Sequence, residues 1–372
     1  MDVMDSLKEK VMRQTRPWIT AGVALVGAGM VATAPVVPIA GPLPAIAAPD
    51  IELTAVDMVL DLVRHGQSED NVAGIIGTLP PGAPITAEGA EQAAFLADPA
   101  NPQHLADPGF YDGIYASGFL RPQETAAEWL AAAGAPDHPV SILSGLNELN
   151  AGFLEGSSQD NQLMAMLYLV GPLSWIFGQY WVPQLGSTID PNGMAFQDRF
   201  GDAVEQIYTN GATDADGGFS SVAFSHAASI STWVMMNVKN PDFELYFQSL
   251  LQGILPNTGQ VVIEGNPTDG WTLVSWNGTE VAENPGLLTG LFVDFRDLMV
   301  APQMAGWHIW EAILGGDPAD ITAALQTGFN DVLAAVTAFP QAVIDTITGA
   351  MDDTAGGSAA DALGDALASL AG

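Results

Sequence analysis

Cysteine is absent from this 372-residue chain. Its absence excludes disulfides, zinc fingers, iron–sulfur centres and thiol catalysis together, while leaving the compartment open. Positive charge is almost as scarce, with nine Lys and Arg against 43 Asp and Glu, a net charge of −34 and a pI near 4.1. Nucleic acid is thereby excluded as a partner, since phosphate backbones demand a basic face. The acidity does not mark a disordered chain: 48% of residues are hydrophobic and only 14% charged, enough apolar surface for one large core or two modest ones.

With so few cations, their positions carry information. They are Lys8, Lys10, Arg13, Arg16, Arg64, Arg121, Arg199, Lys239 and Arg296. Four precede residue 17, and no charge occurs from Pro17 to Pro49. That uncharged stretch contains WITAGVALVGAGMVATAPVV, about 20 residues and so long enough to cross a hydrocarbon core. Positive residues on its N-terminal side orient that end inside and export the rest. Residues 1–49 are therefore expected to be an export leader or membrane anchor with a Pro-rich linker, giving a secreted or envelope-anchored protein. Ala45-Ile46-Ala47 offers a better small-residue cleavage site than Ala34, which Pro35 follows; cleaved and anchored forms both stay open. A buried helix followed by a Pro-rich linker is the plainer alternative.

The next segment, DMVLDLVRHGQSEDN, opens with an alternating, β-branched run from Val59 to Val63 that predicts a strand ending at Arg64-His65-Gly66. Catalytic groups of open α/β sheets gather at the carboxyl ends of strands. Further elements follow in order: PITAEGAEQA, with Thr86 as a helix N-cap and Gly89 and Ala93 allowing close packing; YASGFLRPQETA, which supplies Arg121; LNELNAGFLEG, which contains Glu148; and SVAFSHAAS, a strand ending in His226.

Together these elements resemble the histidine phosphatase superfamily, which includes phosphoglycerate mutases and acid phosphatases. The resemblance covers Asp57 to Trp276, with Ser68 and Asn71 at the usual spacing after the RHG triplet and LPNTGQVVIEGNPTDGWTLVSWNG matching the closing β-hairpin, where Asn257 takes a structural role. Two positions depart from the pattern: Ala227 replaces a glycine after the second histidine, and Gln67 replaces a common Glu. The resemblance implies an α/β fold, a phosphoglycerate mutase-like three-layer sandwich around a mostly parallel sheet. It assigns catalysis to His65, Glu148, Arg64, Arg121 and His226, and substrate binding to Arg64, Asn71, Arg121 and His226. His104, His138 and His308 are left as surface or packing residues, and Arg199 as a salt-bridge partner on an amphipathic helix.

The chemistry is consistent with these residue types. Monoester cleavage needs a nucleophile, cations around the equatorial oxygens and an acid for the leaving oxygen. Neutral His65 can attack in line to form a phospho-histidine. Arg64 and Arg121 offer planar donor forks to the non-bridging oxygens, and His226 adds a donor if protonated. Glu148 would protonate the leaving group and then take a proton from water, and the anionic surround suggests an acidic optimum. The arginine pair supplies the charge a metal would otherwise bring, so no metal or cofactor is called for. The stretch between Glu148 and His226 holds a single cation, Arg199, which favours a phosphomonoesterase over a mutase needing extra cations. A catalytically idle surface protein that binds a phosphorylated ligand on the same fold is the rival from another class.

Two segments lie outside this pattern. Within the expected catalytic domain 50–281, residues 157–190 form an apolar insertion, uncharged between Asp160 and Asp190. Gly171-Pro172 is expected to split it into two short helices. Residues 161–186 are open to three readings: an active-site lid suited to an apolar or lipid phosphate, a packing hairpin, or a membrane segment. Residues 282–372 form a helical, Ala/Gly-rich extension, with helices starting at Pro318 and Pro340 and a stripe of Ile321, Leu325, Phe329, Val332 and Val336 expected to cover a neighbouring face. Self-association or envelope attachment through the insertion or the tail is a further expectation. The compositional style looks actinobacterial.

Overall fold

The computed structural model describes residues 56–211 and 218–353. The expected leader, 1–49, and the Ala/Gly-rich end beyond residue 353 lie outside the described residues. Residues Ala55–Ile347 form one compact unit. Of a second unit only the end of the final helix, Thr348–Asp353, is described.

Strand β1 (Met58–Arg64) leads through a sharp turn to helix α1 (Glu69–Ala73), then to α2 (Ala87–Phe95). Strand β2 (Gly113–Ala116), helix α3 (Leu120–Ala132) and the two-residue strand β3 (Ser141–Ile142) follow. Helices α4 (Gln162–Ile176) and α5 (Gly193–Gly211) precede β4 (Phe219–Ser225), α6 (Ala227–Asn237) and α7 (Phe243–Leu250). Strands β5 (Gln260–Asn266), β6 (Gly270–Trp276) and β7 (Thr279–Glu280) close the sheet, and helices α8 (Leu287–Gly315) and α9 (Pro318–Asp353) follow it.

The seven strands are ordered β3-β2-β4-β1-β5-β6-β7. The first four are mutually parallel, and β5, β6 and β7 add antiparallel to β1 and to one another. Side chains alternate across the sheet as the pleat requires. Leu60 and Leu62 face a core that includes Phe196, Phe200, Trp233 and Trp276, whereas Val63, Val222 and Phe224 face a second core with Leu96 and Trp129. Helices on both faces make the expected α/β three-layer sandwich. The register β1–β4 aligns Arg64 with Ser225, so His65 and His226 emerge side by side at the carboxyl end of the two central parallel strands.

The apolar insertion differs from expectation. Gly171-Pro172 does not split it; Gln162–Ile176 is one 15-residue helix with Pro172 inside. Proline leaves the carbonyl four residues back without its intrahelical donor, and here Gln184 Nε2 donates to Tyr168 O at 3.3 Å in its place. Fifteen residues fall short of the roughly 20 needed to span hydrocarbon, and Trp175 and Ile176 are buried in the larger core.

Pro318 starts α9 as expected, but Pro340 lies within that helix and starts none. The carbonyl it frees belongs to Val336, a residue 54% exposed. Of the stripe expected to cover a neighbouring face, Ile321 and Val332 are half-buried, whereas Leu325, Phe329 and Val336 are each more than half exposed. Periodicity identifies an apolar face but does not supply what covers it. The other side of α9 packs on α8, where Phe339 meets Phe295 edge-on and Thr346 Oγ1 donates to Asp294 at 2.9 Å, and α8 is docked in turn on the catalytic unit. Arg296 is 2% exposed and donates to the carbonyls of Met235 (3.3 Å) and Val238 (3.2 Å) at the end of α6, and Phe292 packs edge-on against Phe177 and Phe243.

Candidate active site

At the carboxyl end of β1, the backbone is held tightly. Gly66 and Gly89 approach so closely that a Cβ on Gly66 would lie 2.5 Å from Gly89 O, and one on Gly89 would lie 2.2 Å from Gln67 O. Thr125 Oγ1 accepts from Gly66 N at 2.9 Å and donates to Arg121 O at 2.6 Å, tying the histidine turn to α3. Asn257 Nδ2 donates to His65 O and to Asn71 Oδ1, both at 3.1 Å. Asn71 Oδ1 also accepts from Ser68 N, which leaves the Asn71 amide N–H groups for a ligand. Gln67 is turned away, its Oε1 accepting from Thr86 Oγ1 at 2.8 Å.

His65 is 3% exposed and His226 fully buried, with ring centroids 5.3 Å apart. His65 Nδ1–H donates to Gly66 O at 2.7 Å, which fixes the tautomer and leaves the Nε2 lone pair free to accept from Arg121 Nε–H at 3.0 Å. Burial, reinforced by the Arg121 and Arg64 charges, holds the His65 pKa well below 6.5. The imidazole is therefore neutral, the form a nucleophile needs. Burial likewise lowers His226, with Arg121 and His65 adding to the effect. Its Nε2 meets Ser117 Oγ at 2.8 Å, and its Nδ1 has no partner. His226 is thus uncharged; it stands behind the cavity lining, to which its neighbours Ala227 and Ala228 contribute, and a bound dianion would favour its protonated form.

Arg121 is a buried cation and Arg64 a partly buried one. Arg64 donates through Nη1 to Leu255 O, and burial lowers its pKa to about 10, with Glu148 opposing the shift and Arg121 reinforcing it. Arg121 donates to Gly77 O at 3.0 Å and faces Asp70 at 3.7 Å; burial lowers its pKa too. Arg64 Nε and Arg121 Nη1 are buried with no hydrogen-bond partner. Two guanidinium donors left unsatisfied inside a protein are costly unless an anion completes them.

Glu148 lies on the loop after Leu146 and enters the same cavity of about 360 Å³ as Arg64, His65, Asn71 and Arg121. Its Oε1 accepts from Leu149 N (2.9 Å), Ser229 N (3.0 Å) and Ser229 Oγ (3.0 Å). The loop is braced by Arg199, which the sequence marks only as a salt-bridge residue. Arg199 pairs with the fully buried Asp190 at 2.7 Å and also donates to Gly145 O (2.7 Å) and Asn147 O (3.0 Å). Ser117, Ser229 and Asp190 had no role assigned from sequence. Ser117 belongs to the same motif as Arg121, whereas no local pattern marks the other two.

The remaining histidines stand apart from the cavity lining. His104 meets Leu96 O, His138 meets Pro139 O, and His308 pairs with Asp198 at 3.0 Å. Among the described residues, Asp198, His308 and Glu311 bring three ligating atoms within 4.8 Å of one another, outside the cavity described above.

This geometry belongs to a phosphate-handling α/β protein of the two-histidine, two-arginine kind. The chain is a member of the histidine phosphatase superfamily (branch 1), whose sequence profile matches residues 60–279. It is 45% identical over 297 residues to the PE-PGRS family protein PE_PGRS11 of Mycobacterium tuberculosis, covering 78% of this chain and 48% of that protein. The chain thus spans about half the length of that relative. Among solved structures, it is similar to a phosphoglycerate mutase from Bacillus anthracis (21% identity, 60% of this chain and 94% of that one, TM-score 0.44). It is also similar to a mycobacterial glucosyl-3-phosphoglycerate phosphatase (20%, 59% and 99%, TM-score 0.42) and to a phosphoserine phosphatase from Entamoeba histolytica (22%, 59% and 96%, TM-score 0.42).

Proposed function

We propose that the protein hydrolyses phosphate monoesters through a phospho-histidine at His65. The observation that carries this reading is the pair of cavity-lining arginines, each with a buried donor that makes no hydrogen bond, Arg64 Nε and Arg121 Nη1 (the latter 3.7 Å from Asp70), beside a neutral His65 and Glu148. The non-bridging oxygens take the guanidinium donors and the Asn71 amide, and His226 joins once the dianion favours its protonation. Arg121 Nε moves from His65 Nε2 to a phosphate oxygen, which frees the lone pair to attack phosphorus. As the N–P bond forms, the P–O bond to the leaving group breaks and Glu148 gives that oxygen its proton. Water then attacks phosphorus while Glu148 takes its proton, the N–P bond breaks, and the electron pair returns to His65. Ser229 and the Leu149 N–H hold Oε1 of Glu148, leaving Oε2 to exchange the proton.

A mutase would need cations for a second anionic group. Among the described cavity residues the cations are Arg64 and Arg121, and Arg199 is committed to Asp190. This supports hydrolysis of esters with one charged group. Export remains our reading of the basic cluster before residue 17 and the uncharged run after it.

A p-nitrophenyl phosphate assay across pH, with His65→Ala alongside, tests the proposal. Turnover by the wild type, lost in the variant, with an acid-labile phosphoprotein trapped on quenching, is the expected result. Wild-type inactivity at every pH would overturn it, and interconversion of phosphoglycerates in place of phosphate release would replace hydrolysis with transfer.

A further inference from the structure

The cavity has two chemically different ends. Beyond the arginines its wall is formed by Ile75, Ala165, Tyr168, Leu169, Leu250 and Ile254. Tyr168 donates its hydroxyl to Leu149 O at 2.8 Å, and burial holds its pKa well above 10, so it presents a neutral ring. The acids that line the cavity, Asp70 and Glu148, would repel a second anionic group, and no third cation among the described lining residues answers it. Lys239 and Arg296 lie elsewhere, the latter bound to the α6 carbonyls.

Two features carry the apolar character outward. Helix α4, whose inner residues Ala165 and Leu169 form the wall, turns Leu163 (60%), Met166 (69%) and Val170 (48%) to the surface. Next to the lining residue Leu250, Leu251 is 76% exposed, and Ile254, also on the cavity, is held at a φ of 69°, where a β-branched residue is strained. A glycine would sit there freely, yet an isoleucine places its side chain on the cavity.

We infer that the substrate is the monophosphate of an uncharged, apolar alcohol, its hydrocarbon seated along α4 and Ile254 while the phosphate meets the arginines. This rests on the reading that Arg64 and Arg121 grip phosphate. A fully buried methylene is worth roughly fourfold in affinity, so at half burial the five methylenes separating hexyl from methyl give on the order of 30-fold.

The test is calorimetric titration of the full chain with methyl-, propyl-, hexyl- and 2-carboxyethylphosphonate, with p-nitrophenyl phosphate turnover measured in parallel. Phosphonates bind without being cleaved, so their affinities are read whether or not the protein turns over. Hexylphosphonate should bind on the order of 30-fold tighter than methylphosphonate, and carboxyethylphosphonate more weakly than propyl. A hexyl-to-methyl ratio below about threefold, or carboxyethyl binding tighter than propyl, overturns the inference. Turnover with a flat chain-length series defeats the substrate class and spares hydrolysis; a steep series without turnover does the reverse. Ile254→Gly relieves the left-handed isoleucine, so Tm should hold or rise while the hexyl-to-methyl ratio falls at least about threefold. A ratio unchanged in that variant would also count against the assignment of the apolar wall.

Discussion

Replacing Arg121 with methionine separates what this side chain does for folding from what it does for chemistry. In the native protein Arg121 is 3% exposed, donates to His65 Nε2 and Gly77 O, and its Nη1 faces Asp70 at 3.7 Å without a hydrogen bond. Two charge-assisted hydrogen bonds to a phosphoryl group, at about 1.5–2 kcal/mol each, amount to about 3–4 kcal/mol, so Arg121→Met should lower kcat/KM on the order of 10²–10³-fold. The charge also acts on His65, whose pKa it depresses after burial has done most of the lowering. Without it the His65 pKa rises toward 6.5. Activity requires the neutral ring, so the acid limb of the pH–rate profile should move to higher pH. Stability should respond differently. The variant removes a buried charge with an unsatisfied donor and relieves the Arg64–Arg121 repulsion, while Asp70, at 18% side-chain exposure, retains water. Methionine fills the space without a charge to desolvate, but Gly77 O and His65 Nε2 lose their donor and Asp70 its counterion, so the two effects offset and Tm without ligand should change little. Steady-state kinetics against pH, with calorimetric melting of the same preparations, reads all three quantities. A kcat/KM within about threefold of wild type, or an acid limb displaced to lower pH, would refute the reasoning.

Three further outcomes are expected. Glu148→Gln should slow alkyl phosphates on the order of 10²-fold or more but p-nitrophenyl phosphate much less, because nitrophenolate departs without a proton; equal losses on both would remove Glu148 as the acid. His65 and His226 both have folded pKa values depressed by burial, so the stability they contribute is complete above about pH 6.5 and declines as pH falls below it, by up to about 1.4 kcal/mol per pH unit for each. Urea midpoints from pH 7.5 to 5.5 should show that slope, and a His65→Gln/His226→Gln double variant should lose it. Gly89→Ala drives a Cβ to 2.2 Å from the backbone oxygen of Gln67, so a loss of roughly 1–3 kcal/mol in denaturant unfolding is expected, and an unchanged midpoint would contradict the close approach.

What could be read from the sequence was what is local. The runs ending at His65 and His226 are strand patterns followed by chemistry, and β1 and β4 place both rings at the same end of the sheet because the strands are parallel neighbours. The capping role of Thr86 was readable for the same reason, its Oγ1 accepting from Gly89 N within one turn. Residues whose roles depend on distant partners were not readable. Arg199 braces the Glu148 loop only because α5 passes beneath residues 145–147, and Ser229 reaches Glu148 across 81 positions of sequence. Pro172 looked like a break because nothing adjacent reveals that Gln184 will supply the missing donor. The α9 stripe is a related case, since an apolar period states a preference for burial without stating a partner.

The two ends of the sheet bear on how copies of this protein can meet. Both outermost strands, Ser141–Ile142 and Thr279–Glu280, are only two residues long. Each offers an incoming strand almost no backbone ladder, and short edges of this kind are how β-containing proteins avoid stacking into extended sheets. Among the described strands, then, edge-to-edge growth has little to build on. Within the described residues, a contact that joins two copies falls to side chains on the surface, where shape and not backbone pairing decides which partner fits.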